Sequence, residues 1–599
     1  MLNSRLVVLL TAALCASVLL YSPVLSARSQ DSADTENDGP EVSVTISGVE
    51  GELLTNVQGF LPLYGLDGKR AKSAGRVRFL HSQADDAIRK ALAPYGYYKP
   101  DISETLEEVN GVWQASYTIV PGEQLKLTEV DIRISGEAET DKAFLQAIAE
   151  SPLKPGVPLL HQDYEMLKQR LEVLASSRGY FDAKLRESAI RINLERYTST
   201  IRLFLDSGRR YALGEVSFEQ DTPWLDEKML ERYSEIDPGQ PYLADDLQQL
   251  QGDLANTEYF REVVLDVSPE NADENRVIPV EVSLTARNPM RYTLGVGYGT
   301  DTGARVKAGL VRRRINQAGH QLTGEMMVSQ YINAVAGEYL IPASDPRTDT
   351  WGLRGLVYDE DTDTTDLTKA SIGGFFRHRD GLWIKTYALD YLVEQFVLES
   401  GDDTSRLLLP SIDWTRTDPA GMDERIMPDF GTRLQLSVRG AAEGLLSDTD
   451  FIQPLIRVKG IYSFSDSLRL IARGAAGTTS VSDFDKLPMS LRFLAGGDKS
   501  VRGYGYNVIG PRLGNDVVGG KHLLETSLEL EMPLTETWSL ATFIDAGDAF
   551  TDSPDYQAGV GVGFHWRSPI GPVRLDLGHA IDGSPGRKLR GHLTIGADL

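Results

Sequence analysis

From Pro289 onward the apolar residues of this chain fall on alternate positions, and that habit limits what it can fold into. Tyr292, Leu294, Val296 and Tyr298 alternate with Thr293, Gly295, Gly297 and Gly299. Leu434, Leu436 and Val438 alternate with Arg433, Gln435, Ser437 and Arg439. Val560, Val562, Phe564 and Trp566 alternate with Gly559, Gly561, Gly563 and His565, and Val573, Leu575 and Leu577 with Arg574, Asp576 and Gly578. A period of two belongs to strands with unlike faces. A soluble sandwich alternates too, but its polar face rarely carries arginines on one strand and bare glycines on the next. Lipid outside and a polar lumen inside explain both. Past the N-terminus the chain has no uninterrupted apolar run of the ~18 residues a membrane helix needs, so if it spans a membrane it does so as a closed barrel.

Residues 289–599 leave room for fourteen, sixteen or eighteen strands; sixteen allow about nineteen residues per strand and connection. From the C-terminus, alternation predicts strands near 523–532, 538–547, 557–566, 572–581 and 590–599. Short connections follow at 533–537 and 567–571 on one rim, with a long one at 478–522 on the other. Tyr292, Tyr298, Trp538 and Trp566 fall near strand ends, as interfacial girdles require.

The N-terminal half has a different period. Pro121-Gly122, Ser207-Gly208 and Arg287-Asn288 recur at spacings of 86 and 80 residues. In each unit a helix runs into an aromatic pair: Gly96-Tyr97-Tyr98, Gly179-Tyr180-Phe181, Glu258-Tyr259-Phe260. Pro155-Gly156-Val157-Pro158 returns as Pro238-Gly239-Gln240-Pro241. Between those markers the second unit is longer by about one helical turn, which keeps a buried face in phase. Leu167, Leu171 and Leu174 form that face in the second unit, and Leu243, Leu247, Leu250 and Leu254 in the third. Gly179 suits a left-handed helix stop. Strands are expected at 129–134, 188–194, 200–205 and 214–218, and the aromatic pairs as core packing.

Residues 1–27 read as a secretory signal: Arg5, an apolar run from Leu6 to Leu20, then small residues to Ala27. The only cysteine, Cys15, lies within it, so residues 28–599 carry neither a disulfide nor a thiolate metal site. Residues 28–40 read as a polar linker. A formal charge of −25 argues against a nucleic-acid partner, which needs a basic face. The run Asp359, Glu360, Asp361, Asp363 and Asp366 reads as a solvated loop. No Gly-x-Ser-x-Gly, no metal-spaced histidines among eight, and no phosphate-cradling glycine motif with lysine appear. The expectation is a protein that is not an enzyme and takes no cofactor.

The sharpest local signal is a pair of motifs. Phe543-Ile544-Asp545-Ala546-Gly547 reads as a membrane strand whose alternation turns Asp545 away from lipid, into a lumen. An unpaired buried carboxylate is costly there. Val501-Arg502-Gly503-Tyr504 lies in the glycine-rich segment 495–520, flexible enough to fold inward, and Arg502 offers a planar fork that matches a carboxylate. At the other end of the barrel's closure, Leu593, Ile595, Ala597 and Leu599 face outward, with His592, Thr594, Gly596 and Asp598 inward. Their partner is the first strand, 291–299, whose inner face is mostly glycine. Little besides backbone hydrogen bonds and outward contacts holds such a seam.

The VRG[FY] loop tip and FxDxG strand are those of the BamA/TamA superfamily of outer-membrane assembly proteins, which this chain resembles. The Gly561-x-Gly563 and Ser568-Pro569-Ile570-Gly571-Pro572 segments add to the likeness. It implies three α+β POTRA repeats in tandem (41–122, 123–208, 209–288) and an all-β transmembrane barrel (289–599) of sixteen antiparallel strands. Three repeats point to the TamA branch, since BamA has five and two-partner secretion transporters two. It implies a loop lock of Arg502, Gly503, Tyr504, Asp545 and Gly547. It also implies a lateral gate at Leu294, Gly295, Val296 and Gly297 against Leu593, Ile595, Gly596 and Leu599. The implied work is assembly of outer-membrane proteins, autotransporters among them, in a Gram-negative outer membrane with the repeats in the periplasm. The implied partners are unfolded clients, the lipid bilayer with its lipopolysaccharide, and a TamB-like inner-membrane-anchored protein met by the first repeat. A polypeptide-secreting pore is the alternative.

Overall fold

The computed structural model describes residues 39–398, 401–418, 430–465, 467–568, 571–581 and 589–595. The signal segment 1–27, most of the linker, Pro569, Ile570, Gly596, Ala597, Asp598 and Leu599 lie outside the described residues. The chain divides into two compact units, one holding the first two repeats, the other the third repeat and the barrel. No described helix is long and apolar enough to cross a membrane.

Each repeat is a small sheet under helices. In the first, Glu41–Ser47 runs parallel to Val112–Val120, with Asp101–Val109 antiparallel outside it. The second repeats this with Leu127–Ser135, Thr198–Asp206 and Lys184–Asn193, and the third with Ala212–Gln220, Val277–Ala286 and Phe260–Asp266. A parallel pair needs a crossover, and the helices supply it. The first repeat adds a short edge strand, Lys69–Arg70, and has three helices, Gly51–Phe60, Ala74–His81 and Ala84–Leu92. Tyr117, Ile88 and Leu92 are fully buried in the first core; Phe144, Leu171 and Leu203 are in the second. The helix His161–Ser177 buries Leu167 and Leu171, and Ala244–Ala255 buries Leu247, Leu250 and Leu254; Leu243 precedes that helix.

All three repeats turn their last helix with a left-handed residue: Gly96 at φ 84°, Gly179 at φ 79°, and Glu258 at φ 59°. Two obey the glycine preference. The exception has other work. Glu258 accepts from Arg291 Nη1 at 2.9 Å and from the buried Arg313 Nε at 3.2 Å, both in the barrel. Beside it Tyr259, expected only as core, donates to the carbonyl of Gly319 at 2.5 Å, and Asp226 N–H donates to Gln317 O at 3.0 Å. The third repeat is thereby fastened to the turn between the second and third barrel strands.

Among the described residues sixteen long antiparallel strands close the barrel, from Met290–Gly299 to Leu589–Ile595, with a two-residue strand, Ser480–Val481, added beside it. Fold class is as expected. The last five strands, His522–Pro533, Trp538–Phe550, Gln557–Ser568, Gly571–Ala580 and Leu589–Ile595, start within a residue of their predicted positions. Outward residues are bare: Tyr292, Leu294 and Val296 are 72%, 79% and 73% exposed. Inward ones pair, as Arg354 with Asp390 and Arg439 with Gln453.

The acidic run departs from expectation. Asp359, Glu360 and Asp361 end the strand Asp349–Asp361, and Asp366 begins the next. Glu360 is buried on the lumenal side and accepts from Tyr358 Oη at 2.6 Å. Strands here outrun the hydrocarbon layer, so a charge run does not mark a loop.

The segment between Leu468–Thr478 and His522–Pro533 lines the bore. Leu487 and Leu491 pack against Leu392, Leu407 and Phe451 of the inner wall, and Val501, Tyr504 and Ile509 against Leu523 and Ala549.

Candidate functional site: an inward loop and the barrel seam

On Trp538–Phe550 alternation sends Ile544 out, 49% exposed, and Asp545 in, with no exposed surface. Arg502, 2% exposed, meets it: Nε donates to Oδ2 at 2.7 Å and Nη2 to Oδ1 at 3.0 Å. Its backbone N–H adds a third bond to Oδ2 at 3.0 Å. The remaining fork arm, Nη1, reaches Glu529 Oε2 at 2.6 Å and Asp576 Oδ2 at 3.2 Å. The Phe543 ring lies under the guanidinium, 3.4 Å from centroid to Cζ. Three carboxylates and an aromatic face thus surround one cation. Each of the three guanidinium nitrogens has a carboxylate partner, as buried charge demands. Asp576 Oδ1 is in turn 3.0 Å from His565 Nε2, and Glu531 pairs with Arg469.

The bare inner face of the next two strands is the loop's bed. A Cβ on Gly559 would lie 1.9 Å from the Arg502 carbonyl oxygen; one on Gly578 would lie 2.6 Å from Gly503 N. On Gly547 it would meet Val501 Cγ2 at 3.1 Å. Gly503 itself has φ 100° and packs on Ala580 and His579. Tyr504 is buried in the loop's apolar cluster, its hydroxyl 3.4 Å from Ala558 O.

The seam is short. Tyr298 pairs with Ile595 and Gly299 with Thr594, and Thr300 N–H donates to Leu593 O at 3.1 Å. On its other side the first strand pairs along its whole length, Met290 with Arg312 through Gly299 with Gly303. Among the described residues Leu294, Gly295 and Val296 pair with no residue of the last strand, and a Cβ on Gly297 would lie 2.8 Å from Ile595 O. Gly596 and Leu599, expected in this seam, lie outside the described residues.

Sequence reasoning found Arg502 and Asp545 but not Glu529, Phe543 or Asp576 as their neighbours. It placed His592 inward at the seam but missed Thr300, Asp301 and Asp498, which meet it there. The inward acids Glu525, Glu529 and Glu531 on one strand were the available signal, since such a row requires cations opposite. By residue type, Asp301, Asp498 and His592 could hold a metal ion, as could Glu529, Glu531 and His565. In the first group both ring nitrogens of His592 are engaged: Gly503 N–H donates to Nε2 at 2.9 Å, and Nδ1 lies 2.6 Å from Asp498 Oδ1. A hydrogen-bonded network suits these atoms better than an ion.

Residues 357–597 match the model of the Omp85 superfamily domain, and residues 43–121 that of POTRA domain TamA domain 1. The outer membrane protein assembly factor BamA of Nitratidesulfovibrio vulgaris (Hildenborough) is 22% identical over 348 residues, 55% of this chain and 44% of that one. BamA of Neisseria meningitidis serogroup B is 21% identical over 528 residues, 76% of this chain and 64% of that one. The chain therefore spans between two fifths and two thirds of the length of these curated relatives. The crystal structure of Haemophilus ducreyi BamA lacking POTRA domains 1–3 is similar in fold, with TM-score 0.64 at 18% identity, covering 79% of this chain and 99% of that one. Residues 357–597 thus carry an Omp85 superfamily domain and residues 43–121 a TamA-type POTRA domain, within a chain of POTRA repeats and a closed sixteen-stranded barrel similar in fold to BamA.

Proposed function

We propose that this protein is the outer-membrane subunit of a translocation and assembly module of the TamA type. It inserts outer-membrane proteins, autotransporters among them, from the periplasm of a Gram-negative bacterium, where its three POTRA repeats stand. The observation that carries this reading is the seam. Among the described residues two register pairs and one further backbone hydrogen bond join the edge strands, and the first strand's inner face offers glycines rather than side chains. Parting that seam frees two strand edges, and an incoming strand satisfies their N–H and C=O groups by pairing. The step needs no covalent chemistry, nucleotide or metal: hydrogen bonds are exchanged, and apolar client surface passes into lipid. The first repeat, matched by the TamA-specific model, is the surface offered to a TamB-like partner anchored in the inner membrane.

A cross-seam disulfide tests the reading. Tyr298→Cys with Ile595→Cys joins register partners, in a chain whose only cysteine is Cys15. In liposomes with no energy source, the reduced protein is expected to accelerate insertion of an unfolded client barrel and the oxidised protein to lose that acceleration. Equal insertion by both forms overturns the reading. Export of a polypeptide that survives oxidation assigns the protein to secretion through its bore.

A further inference from the structure

Backbone pairing is not all that joins the two edge strands. Asp498 stands four residues before Arg502 on the inward loop. Its Oδ1 accepts from Thr300 Oγ1 at 2.8 Å, on the turn that ends the first strand, and lies 2.6 Å from His592 Nδ1 on the last strand. Its own N–H donates to Asp301 Oδ2 at 2.6 Å on that same first turn. The histidine's protonation follows from its other side. His592 Nε2 receives the N–H of Gly503, so the ring hydrogen sits on Nδ1 and is donated to Asp498. One carboxylate oxygen therefore bridges both edges of the seam and belongs to neither strand.

We infer that Asp498 is the positioning residue that holds the seam shut while the loop is seated, so that withdrawal of the loop releases both edges in one movement. The inference rests on reading the seam as a gate and adds what controls it. The loop is held by Arg502 against the wall at Asp545, Glu529 and Asp576, and Asp498 rides on the same backbone. Gly503, the residue after the arginine, supplies the hydrogen that fixes the His592 tautomer. Seating Arg502 thus places Gly503, orients His592 and completes the clasp at Asp498. Each contact depends on the one before, which makes loop and seam a single two-state element.

The test uses the full chain in a lipid bilayer, Cys15→Ala, with nitroxide labels at Tyr298→Cys and Ile595→Cys and distances read by pulsed electron paramagnetic resonance. Asp498→Ala is expected to raise the ratio of separated to paired edges about tenfold, the effect of losing one to two charge-assisted hydrogen bonds. His592→Ala is expected to give a similar rise, and the double variant no more than either alone. Arg502→Ala is expected to widen the seam as well, with no further change on adding Asp498→Ala. Ser500→Ala, which removes a loop contact to Glu525 on the wall, is expected to leave the distribution as in the parent. Asp498→Asn, which keeps the side chain's size and one acceptor, is expected to fall between parent and alanine and serves if the alanine variant yields no folded barrel. An unchanged distribution in Asp498→Ala or Asp498→Asn, or additive effects of Asp498→Ala and His592→Ala, overturns the clasp. Distances are read without client and client insertion is assayed separately on the same variants, so the two readings fail separately: a wider seam without altered client insertion overturns the gate, and an unaltered seam overturns the clasp.

Discussion

Arg502 grips Asp545 by two parallel guanidinium bonds and a third from its own backbone N–H, so the side chain and the turn of the loop are fixed against one carboxylate. That geometry separates arginine from lysine. Arg502→Ala leaves Asp545 buried without its cation and is expected to cost about 2–5 kcal/mol of loop docking. Arg502→Lys keeps the charge but replaces a fork by a point, and is expected to recover less than half of that. Trypsin cleavage after Lys499, whose neighbours Asp498 and Ser500 are tied down in the parent, measures both. Parent-like protection in Arg502→Ala would show that the apolar contacts of Val501 and Tyr504 hold the loop alone.

The glycine bed makes a steric prediction. Gly559→Ala places a methyl 1.9 Å from the Arg502 carbonyl oxygen, and backbone on both sides leaves nothing to rotate away. The loop is expected to lift at a cost of about 1–3 kcal/mol, the usual penalty of overpacking. Gly295→Ala, with its nearest atom 4.0 Å away, is the matched control and is expected to leave cleavage after Lys499 unchanged.

Glu258 occupies a backbone conformation that glycine adopts more easily. Glu258→Gly is therefore expected to relieve local strain while removing the carboxylate from Arg313 and Arg291. The half-exposed Arg291 contact contributes about 0.2–1 kcal/mol, and the buried Arg313 loses more. Hydrogen exchange in the turn 313–320 should quicken in Glu258→Gly while the core of the third repeat keeps its protection. An unchanged turn would leave Tyr259 and Asp226 as sufficient fastenings.

Burial, then the neighbouring Asp498 carboxylate, push the Asp301 carboxyl up to about 6; the N–H of Asp498, His592 and Arg590 oppose them. A carboxyl whose folded pKa lies above its unfolded value of about 3.9 binds more protons when folded. Its contribution therefore falls as pH rises from about 4 through 6, and acidification restores it. Protection of the first barrel turn is expected to rise between pH 7.5 and pH 5. Asp301→Asn, neutral throughout, should flatten that dependence.

How far these features could be read from sequence depends on what alternation specifies. It fixes which face a residue takes, and so it turned Asp545, Asp576 and His592 inward. It does not fix height along the bore, which comes from strand register, so Glu529 and Asp576 could not be brought to the level of Arg502. The same limit hid what Gly559 and Gly578 face: their bareness was visible, the loop backbone lying on them was not. Asp359 and Glu360 misled because strands continue past the membrane, where either face accepts charge. Repeats were legible through their helix stops. The third stop carries glutamate instead of glycine, and only its partners across the barrel junction account for that.

Those partners have a mechanical consequence. Arg291 belongs to the first barrel strand, so Glu258 ties the root of one jamb of the doorway to the third repeat. The opposite leaf follows Gly571–Ala580, and its described contacts run to that neighbour, to the first strand at the seam and to the inward loop through His592. A tug on the repeat is delivered to the jamb directly and to the leaf only through the seam and the loop, so a bound passenger pulling below would strain the threshold from one side.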